Sequence, residues 1–88
     1  MRDNPPEGRF ELEIEGEIVV AEYRLGDGVI VFTRTNTPPA LRGRGFASEL
    51  IRDALLAARE RGLKVQTTCS FVADYLKRHP EYSDLCTP

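Results

Sequence analysis

Apolar residues alternate with acidic ones from Phe10 to Glu15, β-branched residues fill Val29 to Thr35, and from Ala47 onward apolar residues recur at every third or fourth position. This change of period limits the fold more than any other feature of the chain. Side chains alternate across a strand and repeat every 3.6 residues around a helix. The first part therefore reads as sheet and the second as helix laid on it. In Arg9 to Glu15, Phe10, Leu12 and Ile14 take one face and Glu11, Glu13 and Glu15 the other. That pattern predicts a half-buried strand with a solvated acidic face. After the turn at Gly16-Glu17, Ile18 to Leu25 reads as a second strand, with Val19, Ala21, Tyr23 and Leu25 on one side. Leu25-Gly26-Asp27-Gly28 is a tight-turn signal, because Gly and Asp tolerate positive φ. Val29 to Thr35, rich in β-branched residues, is the third strand. Short turns between these three strands predict an antiparallel meander.

Ala47, Leu50, Ile51, Ala54, Leu55 and Ala58 form a broad apolar helical stripe, with Ser48, Glu49, Arg52, Asp53, Arg59 and Glu60 opposite. Gly62 ends that helix, and Lys64 to Thr68 reads as a fourth strand. Ser70 is the expected N-cap of a second helix, Phe71 to His79, stopped at Pro80. A helix of about four turns brings the chain back to its starting end, so the fourth strand should run parallel to the third. The expected fold is α+β: a three-strand antiparallel meander, a βαβ crossover to a parallel fourth strand, and a C-terminal helix. Ligands of such units bind beyond the carboxyl ends of the strands. Arg34 to Gly45 and Cys69-Ser70 leave the parallel pair at that end.

The 88 residues make one domain, 1–88, with a core at about 9–82. A chain this short buries roughly 60–65% of its unfolded surface, so a monomer or weak homodimer is expected. The net charge of −2 gives no bulk attraction to nucleic acid or membrane. No apolar run approaches the ~20 residues of a membrane helix. Met1 to Glu7 is polar and carries prolines, unlike a signal peptide. Cys69, Cys86 and one His do not have zinc-ligand spacing, so no metal is expected. These features predict a cytoplasmic protein with both thiols reduced, and Cys86 in a frayed tail.

The segment TPPALRGRGFASEL, from Thr37 to Leu50, opens the main helix. The first turn of a helix has about four N–H groups without intrahelical partners and partial positive charge from the dipole. Gly43 and Gly45 leave that backbone uncovered, Arg42 and Arg44 add charge, and Pro38 and Pro39 stiffen the approach. Such a mouth suits a diphosphate. A basic loop whose glycines serve only its turn fits the same spacing. The P-loop pattern GxxxxGK[ST] is absent.

The same segment resembles the coenzyme A loop of the GNAT acetyltransferases, whose signature Q/R-x-x-G-x-G/A falls on Arg42 to Ala47. Together with "CSFVADYLKRHPEY", it is similar to the small single-domain branch of that superfamily over about Phe10 to Tyr82. The resemblance implies acetyl-CoA as cofactor, with contacts at Thr37, Arg42, Gly43, Arg44, Gly45, Phe46 and Ala47. It also implies pantetheine between the third and fourth strands and a thioester pointing toward Cys69. Tyr75 stands where larger members carry a tyrosine near the departing thiolate. Arg34 and Asn36 stand where relatives often carry His and Glu, and neither is a general base near neutral pH.

Catalytic roles are thus expected at Cys69 and Tyr75, in transfer of acetyl to an amine of a small molecule or protein. Attack by the amine on acetyl-CoA and a relay through acetylated Cys69 both fit. A CoA-binding module with little or no turnover and a small protein-interaction domain are the alternatives. For Cys69 and Tyr75 the structural reading is a small core residue and a core aromatic, Tyr75 sharing an apolar stripe with Phe71, Val72 and Leu76. His79 reads as a helix-end residue, too far along its helix to form a dyad with Cys69.

Overall fold

A computed structural model describes residues 1–86; of the expected domain 1–88, Thr87 and Pro88 lie outside the described residues. The chain forms β1 (Arg2–Asn4), β2 (Arg9–Ile14), β3 (Glu17–Gly26) and β4 (Val29–Asn36), then α1 (Phe46–Glu60), β5 (Lys64–Thr67) and α2 (Ser70–Arg78). Short 3₁₀ turns at Pro5–Glu7, Pro39–Leu41 and Pro80–Leu85 link or follow them. The sheet order is β1-β2-β3-β4-β5, antiparallel except for the parallel pair β4 and β5. The α+β meander and crossover read from the period change are present, with one more strand at the N-terminal edge.

That extra strand has no apolar residue, and polar contacts hold it. Tyr23 donates to Asp3 at 2.5 Å, and Arg61 at the end of α1 reaches the same carboxylate at 2.8 Å. Burial first, then the Asp3 carboxylate, pushes the Tyr23 phenol up to about 12. Across the β1–β2 pair, Arg2 and Asn4 hydrogen-bond Glu11, joined by Arg9 at 2.6 Å. Glu11 is consequently 4% exposed, so the acidic face expected on the first strand of the meander is solvated only at Glu13 and Glu15. Leu25, expected on the inner side, is exposed at the end of the β3–β4 hairpin.

One cluster forms the core. Phe10, Val19, Ala21, Tyr23, Ile30, Phe32 and Val65 from the sheet meet Leu50, Ile51, Ala54, Leu55 and Ala58 of α1. Val72 and Tyr75 of α2, with Tyr82 and Leu85 of the following 3₁₀ turn, complete it. Arg59 fastens that turn, donating to the Glu81 carbonyl at 3.0 Å and to Asp84 at 2.6 Å. The expected frayed tail is therefore packed as far as Cys86, whose backbone bridges to Val65. The core reaches Leu85 rather than Tyr82.

Two irregularities in β4 shape the end of the molecule where α1 and α2 begin. Glu22 faces Arg34 but Tyr23 faces Phe32, so Thr33 is an extra residue, a β-bulge. A bulge reverses the faces beyond it. Phe32 points into the core, and three residues later half-buried Thr35 lies on the same face opposite Ala21, while Arg34 turns out toward Glu22 at 3.8 Å. The second irregularity is where pairing with β5 ends. The register runs from Val29–Lys64 to Phe32–Thr67, closed by Thr68 N–H donating to the Phe32 carbonyl at 3.0 Å. From Thr33 to Asn36, β4 pairs with β3 alone, and the two parallel strands part.

Candidate functional site

The glycine turn sits at the mouth of α1. Gly43 and Gly45 have φ of 78° and 82°, left-handed values that a side-chain-bearing residue adopts at a cost. A Cβ added to either would meet no heavy atom within 4 Å. The glycines are therefore not forced by crowding from the protein itself; the space beside them is open. Gly45 occupies the N-cap position without any side-chain cap, and the first α1 hydrogen bond is Glu49 N–H to the Gly45 carbonyl at 3.1 Å. The N–H groups of Phe46, Ala47 and Ser48 precede that bond and have no intrahelical acceptor.

A groove of about 240 Å³ lies over this mouth, lined by Thr37, Leu41, Arg42, Gly43, Gly45, Phe46, Ala47, Ser48 and Phe71. It gathers every cofactor residue expected from the sequence except Arg44. Arg42 lies along it, its Nε donating to the Thr37 carbonyl at 3.1 Å, which ties the two ends of the loop. Arg44 turns away. Its guanidinium pairs with Glu15 at 3.2 Å and lies over the Phe46 ring at 5.0 Å. Glu15 is held below its ordinary value by that hydrogen bond and by the Arg44 charge. Open space beside uncapped amides, with an arginine alongside, fits a diphosphate.

Cys69 lies at the start of α2. The helix begins at Ser70, so Cys69 rather than Ser70 holds the N-cap position. Thr67 builds this turn: its hydroxyl accepts the Cys69 N–H at 2.9 Å and lies 3.0 Å from the Phe32 carbonyl. Cys69 Sγ lies 3.6 Å from the Thr35 hydroxyl, which the bulge has turned inward. Burial pushes the thiol up, but the Val72 and Phe71 amides and the Thr35 hydroxyl and amide outweigh it. The net effect is a thiol below its ordinary value, although no amide closes a capping hydrogen bond on the sulfur. Thr35 and Thr67 were not singled out in the sequence. A bulge has no periodic signature, and only the C-terminal place of both residues in the parallel strands hinted at them.

Tyr75 is not in the glycine-turn groove. Its ring stacks on His79 at 4.0 Å and meets Tyr82 at 6.2 Å, and its phenol is raised, first by burial and then by Tyr82. The larger concavity at the far edge of the sheet, about 300 Å³, surrounds Glu11, which Arg2, Arg9 and Asn4 already satisfy. Among the described residues no three His, Cys, Asp or Glu cluster as metal ligands. No described helix is long and apolar enough to cross a membrane.

Comparison with known proteins bears on this geometry. The family model described as GCN5-related N-acetyl-transferase matches residues 9–85. Protein NATD1 of Mus musculus is 35% identical over 76 residues, which are 82% of this chain and 68% of that protein. NATD1 of Homo sapiens is 35% identical over 63 residues, 72% of this chain and 55% of its own length, so the chain spans little more than half of that relative. The NMR solution structure of a GCN5-like protein from Staphylococcus aureus has a TM-score of 0.62 at 22% identity, covering 91% of this chain and 89% of that one; it speaks for the fold alone. The signature loop opening α1, the parting of β4 from β5 and a family match running from β2 to Leu85 agree: this chain belongs to the GCN5-related N-acetyl-transferase (GNAT) family.

Proposed function

We propose that the protein is an N-acetyltransferase that takes acetyl from acetyl-CoA and passes it to an amine. The observation that carries this reading is the open glycine turn at the mouth of α1, beside the parted end of β4 and β5. The amides of Phe46 and Ala47, with Arg42, would hold the diphosphate, and Thr37, Gly43 and Gly45 would shape its bed. Arg44 would reach it only by leaving Glu15. Bound acetyl-CoA would supply the acetyl group as an activated thioester.

The two candidate catalytic side chains differ in ionisation. The lowered Cys69 thiol suits a nucleophile, whereas the raised Tyr75 phenol stays protonated at neutral pH and suits an acid. The depressed thiol favours a relay as the second reading. Cys69 thiolate bonds to the acetyl carbon as the carbon–sulfur bond to CoA breaks, and the departing thiolate takes a proton from Tyr75. The amine then forms the amide and releases Cys69 thiolate, and the proton it loses returns through solvent to the Tyr75 phenolate. In direct transfer the amine would attack the thioester, Tyr75 would again supply the proton to the leaving thiolate, and the proton lost by the amine would return through solvent to Tyr75. With Arg34 paired to Glu22 and Asn36 in the sheet, neither route has a base from this segment, so the amine must arrive uncharged. We place the protein in the cytoplasm as a monomer or weak homodimer, a setting its two unpaired thiols suit.

Calorimetric titration with CoA tests the reading. Wild type should bind and Gly45→Glu should not; equal binding, or none by wild type, refutes it. Mass spectrometry after exposure to acetyl-CoA separates the routes. An acetylated Cys69 supports the relay, and an unmodified Cys69 with unchanged turnover in Cys69→Ala leaves direct transfer.

A further inference from the structure

We propose that the acetyl acceptor is an anionic amine, one that carries a carboxylate close to its reacting nitrogen, and that Arg34 is the residue that recognises the carboxylate. The proposal rests on the acetyl-CoA reading above and adds the class of acceptor. Helices α1 and α2 and the 3₁₀ turn after them pack into one cluster on the inner face of the sheet. The outer face carries Ile18, Arg24, Arg34 and Asn36, all exposed. The gap between β4 and β5 therefore has two unlike openings. The inner one leads to the glycine turn and Cys69, the outer one to solvent. A cofactor lying on the mouth of α1 fills the inner approach and leaves the outer one to the acceptor.

Arg34 borders that outer approach. It lies in the stretch of β4 that has lost β5, one residue before Thr35. Successive side chains of a strand take opposite faces. The Thr35 hydroxyl is on the inner side, 3.6 Å from Cys69 Sγ, and the Arg34 guanidinium is on the outer side, toward Glu22. Arg34 is also loosely held. Its Nη1 is 3.8 Å from the Glu22 carboxylate, beyond hydrogen-bond reach, and its side chain is 67% exposed. Arg44, Arg59 and Arg61 instead grip carboxylates at 3.2, 2.6 and 2.8 Å. Arg9, in the same cross-strand row as Glu22 and Arg34, is committed to Glu11 at 2.6 Å. An incoming carboxylate can thus take the guanidinium fork of Arg34 without displacing a hydrogen bond. Asn36, two residues on along the same face, adds an amide donor. The net charge of −2 gives an anion no general attraction to the protein, so any preference for one comes from this local cation.

The test compares two peptide amines of one shape, alanyl-aspartate amide and alanyl-asparagine amide, as acceptors from acetyl-CoA. The readout is the ratio of their kcat/KM values at low ionic strength, each referred to the uncharged amine. Wild type should favour the aspartate peptide about fivefold, the upper end for an exposed ion pair, and added salt should shrink the ratio. Arg34→Gln should bring the ratio to one, Arg34→Lys should keep part of it, and Arg34→Glu should invert it. Glu22→Gln, which removes the competing carboxylate, should widen it. CoA affinity by calorimetry should be the same in wild type and Arg34→Gln; a loss there puts the guanidinium on the cofactor and overturns its assignment to the acceptor. A ratio of one in wild type, or a preference that survives Arg34→Gln, overturns the anionic acceptor and leaves the acetyl-CoA reading standing. Binding of CoA without acetylation of either peptide also overturns the anionic acceptor and leaves a CoA-binding module. A wild type that neither binds CoA nor acetylates either peptide overturns both readings.

Discussion

Gly45→Ala separates what the glycine turn does for the fold from what it does for a ligand. At φ of 82° an L side chain costs about 1–2 kcal/mol relative to glycine. No clash adds to this, because the new Cβ would meet no heavy atom within 4 Å. Domains of this size shift in Tm by roughly 4–8 °C for each kcal/mol, so a fall of about 5–15 °C is expected. Gly62 supplies the control. It follows the other end of α1 at φ of 71°, and its Cβ would also meet nothing. Gly62→Ala should therefore lose a similar amount of stability in urea denaturation. Affinity for CoA should divide the two variants. The methyl group at residue 45 enters the space assigned to the diphosphate, and binding should weaken at least tenfold, about 1.4 kcal/mol. Gly62→Ala should bind as wild type does. Both titrations belong well below the lower Tm, so that unfolding does not mimic lost affinity. Equal CoA affinity in the two variants would refute the placement of the ligand, whatever happened to their stability.

Thr35→Val should move the pH midpoint of Cys69 alkylation by iodoacetamide upward, because the hydroxyl favours the thiolate; Thr35→Ser should restore it, and an unmoved midpoint in the valine variant removes Thr35 from the argument. Glu11 is pushed from 4.5 down to about 2, first by its hydrogen bond from Arg2 and then by those from Arg9 and Asn4. Its contribution is thus complete above about 4.5 and lost as the pH falls through about 2, and Glu11→Gln should flatten the stability profile over that interval in acid titration followed by circular dichroism. Leu50→Ala, at a fully buried position of α1, should cost about 2–5 kcal/mol in urea unfolding, against less than about 0.5 for Leu56→Ala on the exposed face.

The parts of the fold legible in the sequence are those in which burial imposes a period. Leu50, Ile51, Ala54, Leu55 and Ala58 of the helical stripe are all buried, and the inner residues Phe10, Val19, Ala21 and Tyr23 of the meander face them. The N-terminal strand was illegible because Arg2, Asp3 and Asn4 make no apolar pattern; their pairing depends on Glu11, Tyr23 and Arg61, up to 58 residues away in the chain. The same contacts explain why Glu11 escaped notice. An acidic residue on the outer face reads as solvated until the side chains that cover it are known. Tyr75 and Phe71 show the opposite limit. One apolar stripe contained both, yet the turn after α2 sets the Tyr82 ring beside Tyr75, while Phe71 stays exposed outside the buried cluster.

The candidate site was legible where it depends on local backbone chemistry and hidden where it depends on register. Prolines, glycines and the start of a helical period locate the mouth of α1 by themselves. The surroundings of Cys69 depend instead on Thr33, which nothing in the alternation of Val29 to Asn36 marks as supernumerary. Without it, strict alternation from Phe32 would turn Arg34 inward and Thr35 out. The extra residue exchanges them, setting a hydroxyl beside the thiol and sending the guanidinium to Glu22. β5 stops pairing just before that residue, closed by the Thr68 amide on the Phe32 carbonyl. The bulge and the parting of the strands therefore fall at one place in β4. The backbone that gives up its partner is also the backbone that has changed face, and it lies between the turn holding Cys69 and the loop leading to the glycines.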